Sequence, residues 1–162
     1  MDPVRSSLAG GIAATIALLI FLLITDFLLA GVDIFVFATF TSLCAVGGPP
    51  YCELGSSTAT LLTILWFFLL YAVAWPLLFA GFTWGLPGET GLAHGVVFGL
   101  LLWAGYVAVV LANVGLGGQT VGQNLPMLLV TFVAYLLYGL VLGGGYDRLA
   151  HHRTFLSSDR SA

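Results

Sequence analysis

The residues able to do chemistry in this sequence are few, and each stands in an apolar run. Asp26 follows Thr25 near the end of the first long hydrophobic stretch, with Asp33 shortly after it. His94 stands inside "GETGLAHGVVFGLLLWAGY" (88–106), just after Glu89, and Cys44 and Cys52 bracket "AVGGPPY". If one helix ran through both aspartates they would share a face and could line a vestibule for a cation. Otherwise one caps a helix and the other points into headgroup water. His94, an ionisable side chain in a membrane, is a candidate ligand or proton carrier. It comes only one helical turn, about 6 Å, after Thr90. That keeps it near the interface and favours a hydrogen bond to Glu89 or to a neighbouring helix. Haem held by two histidines would need a second one in the bilayer, whereas His151 and His152 sit in the polar tail. The expectation is no cofactor and no metal, since two cysteines without a nearby histidine cannot complete a zinc site. A Gly-Gly-Pro-Pro turn can bring Cys44 and Cys52 together, and a structural disulfide is the expected use of the pair. Quinone-linked thiol oxidoreductases with four helices use a Cys-x-x-Cys pair, which this chain lacks.

The surroundings of these residues are those of a membrane protein. Of 162 residues, 60% are hydrophobic and 7% charged, far below the charged share of soluble domains. All four cations are arginines and the formal net charge is −3, a balance that excludes nucleic-acid binding. Arg5 before an apolar run has the look of a signal peptide, but the run is longer than an h-region and lacks a small-x-small cleavage site. Four stretches can cross a hydrocarbon core about 30 Å thick: residues 8–31, 58–80, 90–112 and 125–145. Ser56, Ser57 or Thr58 can cap the second, Glu89 and Thr90 open the third, and Asn124 with Pro126 opens the fourth. Pro76 should kink the second helix. Gly115 and the run 143–145 sit where helices should stop. The expected fold is an all-α four-helix membrane bundle of one domain, followed by a short polar tail over 147–162. Residues 33–46, "DIFVFATFTSLCAV", add an interfacial or re-entrant helix; a fifth span is the alternative reading. Arginine lies before the first span and after the last but in no connecting loop, so the positive-inside rule puts both termini in the cytoplasm of a multi-pass cell-membrane protein.

Glycine spacing supplies the other pattern. Gly91, Gly95 and Gly99 recur every fourth residue and form a strip on the third helix, bordered by His94. Gly10 and Ala14 give a similar strip on the first helix, and Gly139 and Gly143 on the fourth. Such strips let helix backbones approach closely. There is a hint of repetition, "SLAGGIAATIALL" (7–19) against "GLAHGVVFGLLLW" (91–103), with "LLY" recurring at 69–71 and 136–138; the small alphabet of apolar helices accounts for it.

The set "GLAHGVVFGLLLW" with the closing "YGLVLGGGYDRL" resembles a family of small integral membrane proteins of unknown function with about four spans, and the lysine-free, mildly acidic composition looks like that of halophilic archaea. The resemblance implies a fold but no activity. Two function classes follow from the residues. The first is a structural or accessory bundle subunit whose partners are the lipid bilayer and either further copies or other membrane subunits. The alternative is a small transporter or channel for a cation or small solute, using Asp26 and His94 near opposite ends of a polar path. An enzyme acting on a lipid or quinone ranks third, and no catalytic residues are identified.

Overall fold

The structure, a computed structural model, describes residues 3–29, 35–52, 54–83, 85–86, 89–111 and 125–150. Among these it is all-α. The elements are α1 (Pro3–Leu29), three short helices α2 (Phe35–Phe40), α3 (Leu43–Gly47) and α4 (Pro49–Cys52), then α5 (Ser57–Phe68), which passes through a π-helical stretch (Leu69–Ala74) into α6 (Trp75–Phe82), and finally α7 (Gly91–Leu111) and α8 (Leu125–Ala150). Four helical stretches are long and apolar enough to cross a membrane: Val4–Leu29, Ser57–Phe82, Gly91–Val109 and Leu125–Leu149. Each is apolar on every side, as helices are when lipid rather than water surrounds them. Phe27, Leu28, Leu101 and Leu129 are exposed.

Helix α8 is the centre of the bundle, packed along α1 on one side and α7 on the other, while α1 also carries α6 and the π stretch. The core that results holds Leu18 and Leu22 from α1, Phe67, Tyr71 and Phe79 from the second span, Phe98 from α7, and Tyr135, Tyr138 and Leu142 from α8. Helix starts follow their capping chemistry. The Ser56 side chain accepts the Ala59 N–H at 3.1 Å and Thr90 Oγ1 accepts the Ala93 N–H at 3.2 Å, each satisfying a donor that the first turn leaves open.

Two boundaries differ from the sequence reading. Gly143, Gly144 and Gly145 do not end the last helix, which continues to Ala150 and takes in Asp147; Gly143 and Gly145 serve close approach to α7 and α1 instead of a stop, while Gly144 faces only the Leu92 side chain. The segment expected to lie on or dip into the membrane is three short helices, and the residues from Val36 to Thr41 are all buried. Helix α2 is thus a plug covered by protein, the condition that backbone outside a spanning helix must meet if it lies at membrane depth, whereas Gly47 and Pro50 further along the segment are exposed. Asp33, Gly115, Asn124 and most of the expected tail lie outside the described residues.

Candidate functional site

The glycine strips meet inside one chain. A methyl group placed on Gly95 would run into the Gly139 carbonyl oxygen and lie 2.9 Å from the Gly143 Cα; one on Gly91 would meet Asp147 and the Gly143 carbonyl; one on Gly99 would meet the Tyr135 carbonyl. Reciprocally, methyls on Gly139 and Gly143 would strike the Gly95 and Gly91 carbonyls. The backbones of α7 and α8 are therefore in direct contact along this seam. Only a residue without Cβ fits, and dispersion between backbones replaces what side chains would supply. On the other flank of α8, a methyl on Gly10 would come to 3.1 Å from the Leu142 carbonyl oxygen. Ala14 is fully buried on the same side of α1. Gly11 lies against Pro76 of α6.

Asp147 locks the end of the seam. Its two carboxyl oxygens accept the N–H groups of Gly91 at 2.8 Å and Leu92 at 3.2 Å. A residue at the end of α8 thus caps the start of α7, where the helix dipole also favours an acidic group. Nothing in the sequence reading singled out Asp147. The available signal was an acid just past the glycine run, at the same membrane end as the start of the third span. His94 is buried beside the seam, with its backbone N–H on the Thr90 carbonyl at 3.0 Å, and Glu89 is exposed.

At the opposite end Asp26 does the same for the plug. It is buried, and its two oxygens accept the N–H groups of Val36 at 2.7 Å and Phe37 at 3.0 Å, the open donors at the start of α2. The carboxyl is committed to a helix cap, the second of the two roles its position allowed. Phe40, at the other end of α2, lies between Tyr71 and Tyr135, with ring centroids at 5.3 and 4.7 Å. Phe37 packs on Phe67 at 5.1 Å. Cys44 and Cys52 are joined by a disulfide that ties α3 to α4.

Tyrosines connect the two ends. Pro76 has no N–H, and ahead of it the helix widens so that the Trp75 N–H bonds the Leu70 carbonyl, five residues back. In that register the Tyr71 carbonyl would need an N–H from residue 76, the one position that cannot supply it. The Tyr138 hydroxyl fills the gap, donating to the Tyr71 carbonyl at 2.6 Å. The Tyr71 and Tyr135 hydroxyls bond each other at 3.0 Å, and Ser7 Oγ donates to the Pro76 carbonyl. The expected proline kink is thus a π-helical widening held from both neighbouring helices. The tyrosines of the two "LLY" triplets, 71 and 138, turn out to be partners.

Among the described residues no three His, Cys, Asp or Glu side chains gather as a metal site requires. An open groove of about 450 Å³ at the foot of α5, lined by Leu54, Ser56, Thr60 and Ile64 among others, is shallow. It offers little of the enclosure that small-molecule sites provide.

These features define a class, the four-helix membrane bundle whose helices are joined by a glycine seam and by side-chain caps reaching from one helix to another. Over residues 1–157 the chain matches the model of a family described as a family of unknown function (DUF6789), and it belongs to that family. No curated protein and no solved structure matches it.

Proposed function

We propose that this protein is a structural or accessory helix-bundle subunit of the cell membrane, with both termini in the cytoplasm. The observation that carries the reading is where the polar groups in the spans go. Asp26, Asp147, Ser7, Tyr71, Tyr135 and Tyr138 all bond other helices or the plug. In a bilayer such groups mark either a path for solutes or the joints of the architecture, and these act as joints. The rival reading, a transporter or channel for a cation or small solute, would need Asp26 free to hold its cargo, whereas both its oxygens accept backbone N–H groups. Orientation rests on the arginine distribution. The glycine seam is used up within the chain, so self-association or docking of other subunits would use the lipid-facing surfaces. Native mass spectrometry after gentle detergent extraction tests the proposal. The expected result is a species larger than one chain, containing either copies or other membrane proteins. A lone chain with nothing bound refutes it.

A further inference from the structure

The contact between the plug and its walls is an unusual one for a permanent seal. Among the buried threonines, Thr15, Thr25, Thr41 and Thr131 turn their hydroxyls onto backbone carbonyls three or four residues back. Thr39 on α2 and Thr63 on α5 do not, and neither hydroxyl has a partner although both residues are buried. Tyr106 of α7 is likewise buried with an unpartnered hydroxyl. Thr39 is on α2 itself, and the other two stand one neighbour away from it; Ser6, near the start of α1, is a further buried hydroxyl without a partner. Thr63 stands one turn before Phe67, against which Phe37 packs. Tyr106 packs on Tyr135 at 6.0 Å, and Tyr135 in turn packs on Phe40. A buried hydroxyl without a partner is costly, and native interiors carry few of them. Two residues flanking the disulfide pair, Ser42 and Leu54, hold positive φ of 62° and 45°, a conformation that costs a side-chain-bearing residue energy. The seated plug is therefore opposed by an unpaired hydroxyl on α2 itself, by two more that stand one neighbour away, and by backbone strain on both sides of its staple. It is favoured by the Asp26 cap, by the Phe37 and Phe40 contacts, and by the Cys44–Cys52 bond.

We propose that residues 35–52 form a redox-released plug: reduction of the Cys44–Cys52 disulfide unseats α2 and lets water reach a hydroxyl-lined chamber walled by Thr63, Tyr71, Tyr106 and Tyr135. The step needs a dithiol reductant, which gives two electrons and two protons to the bridge and leaves as its own disulfide, producing two cysteine thiols. Cys52, only half-buried, is the sulfur open to attack. The bridge matters because it takes the residues between the two cysteines out of the path from α2 to α5, limiting how far α2 can travel while α5 stays in place. Once the path lengthens, the hydroxyls gain water partners and Asp26 loses its two amides. This goes beyond the subunit reading and would make such a subunit responsive to redox state.

The test uses the whole protein in lipid nanodiscs, oxidised and then treated with a small dithiol. Hydrogen–deuterium exchange over residues 35–41 should rise at least tenfold on reduction, with exchange over 125–150 unchanged. In protein carrying 3-fluorotyrosine, the fluorine resonance assigned to Tyr106 by its loss in Tyr106→Phe should acquire a solvent isotope shift between H₂O and D₂O only after reduction. The Cys44→Ser/Cys52→Ser double variant should behave as the reduced protein does. Unchanged exchange over 35–41 overturns the proposal. So does faster exchange with Tyr106 still dry, which would mean local fraying without an opened chamber. Exchange that rises equally over 125–150 also overturns it, as general unfolding.

Discussion

Substituting alanine for glycine at two positions of the same helix separates close backbone approach from helix propensity. Gly95 and Gly105 both lie in α7. A methyl on Gly105 meets nothing within 4 Å, whereas on Gly95 it meets the Gly139 carbonyl and the Gly143 Cα, all backbone and unable to rotate away. Both substitutions gain about 1 kcal/mol from helix propensity. At Gly105 that is the whole effect, so Gly105→Ala should stabilise by up to about 1 kcal/mol. At Gly95 the methyl forces α7 and α8 apart, and overpacking of a rigid contact costs about 1–3 kcal/mol, at the upper end here because backbone crowds it on several sides. Separation also weakens the neighbouring contacts of Gly91 and Gly99, which share the seam. Net destabilisation of about 2 kcal/mol is expected for Gly95→Ala, a gap of about 3 kcal/mol between the variants. Unfolding by SDS in mixed micelles, followed by tryptophan fluorescence, reads the difference directly. If the two variants agree within about 0.5 kcal/mol, the ordinary limit for independent surface changes, the helices are not in backbone contact at Gly95 and the reasoning fails.

Other outcomes follow from the polar joints. Asp147→Ala should cost about 0.5–2 kcal/mol in the same assay, the range for loss of a helix cap, by leaving one part-buried and one exposed N–H at the start of α7 without its acceptor. Asp147→Asn, which keeps one carbonyl acceptor, should lose less; equal losses would argue against the cap. Tyr138→Phe removes the hydroxyl offered to the Tyr71 carbonyl and should destabilise by about 1–2 kcal/mol, while Pro76→Ala, which restores an N–H, should recover part of that loss in the double variant. Additive effects of those two changes would refute the coupling. Opening the Cys44–Cys52 loop, a separation of 8 residues, should lower stability by about 2–3 kcal/mol on the chain-entropy estimate, measured as the oxidised-minus-reduced difference.

How far the sequence reached depended on whether a feature was local. The four long helices were legible because length and hydropathy are properties of a segment, and the bilayer fixes the length it needs. The spacing of Gly91, Gly95 and Gly99 was legible for the same reason: every fourth residue makes a strip whatever lies opposite. What lies opposite was not legible. Gly143 to Gly145 carry the same letters as a helix stop, and only the proximity of α7 to Gly143 and of α1 to Gly145 makes those two a contact. Asp147 and Tyr138 act on residues of other helices, so no window of sequence contains both partners. Asp26 fell between these cases, since the α2 amides it holds are close in the chain and a cap was among the roles its position suggested. The π-helical widening was half visible: Pro76 announced a disturbance, but the remedy came from α8.

The cap that Asp147 provides has a consequence for how the chain is assembled. A ribosome delivers α7 to the bilayer before α8 exists, so the first turn of α7 is handed over with the Gly91 and Leu92 amides unsatisfied and with a bare groove of glycines along one side. Both defects are mended by the same later helix. The third span is thus a provisional element until synthesis is nearly finished, and the last turn of α8 acts as the latch that commits it; a chain stopped short of residue 147 would leave that span in the membrane without its closure.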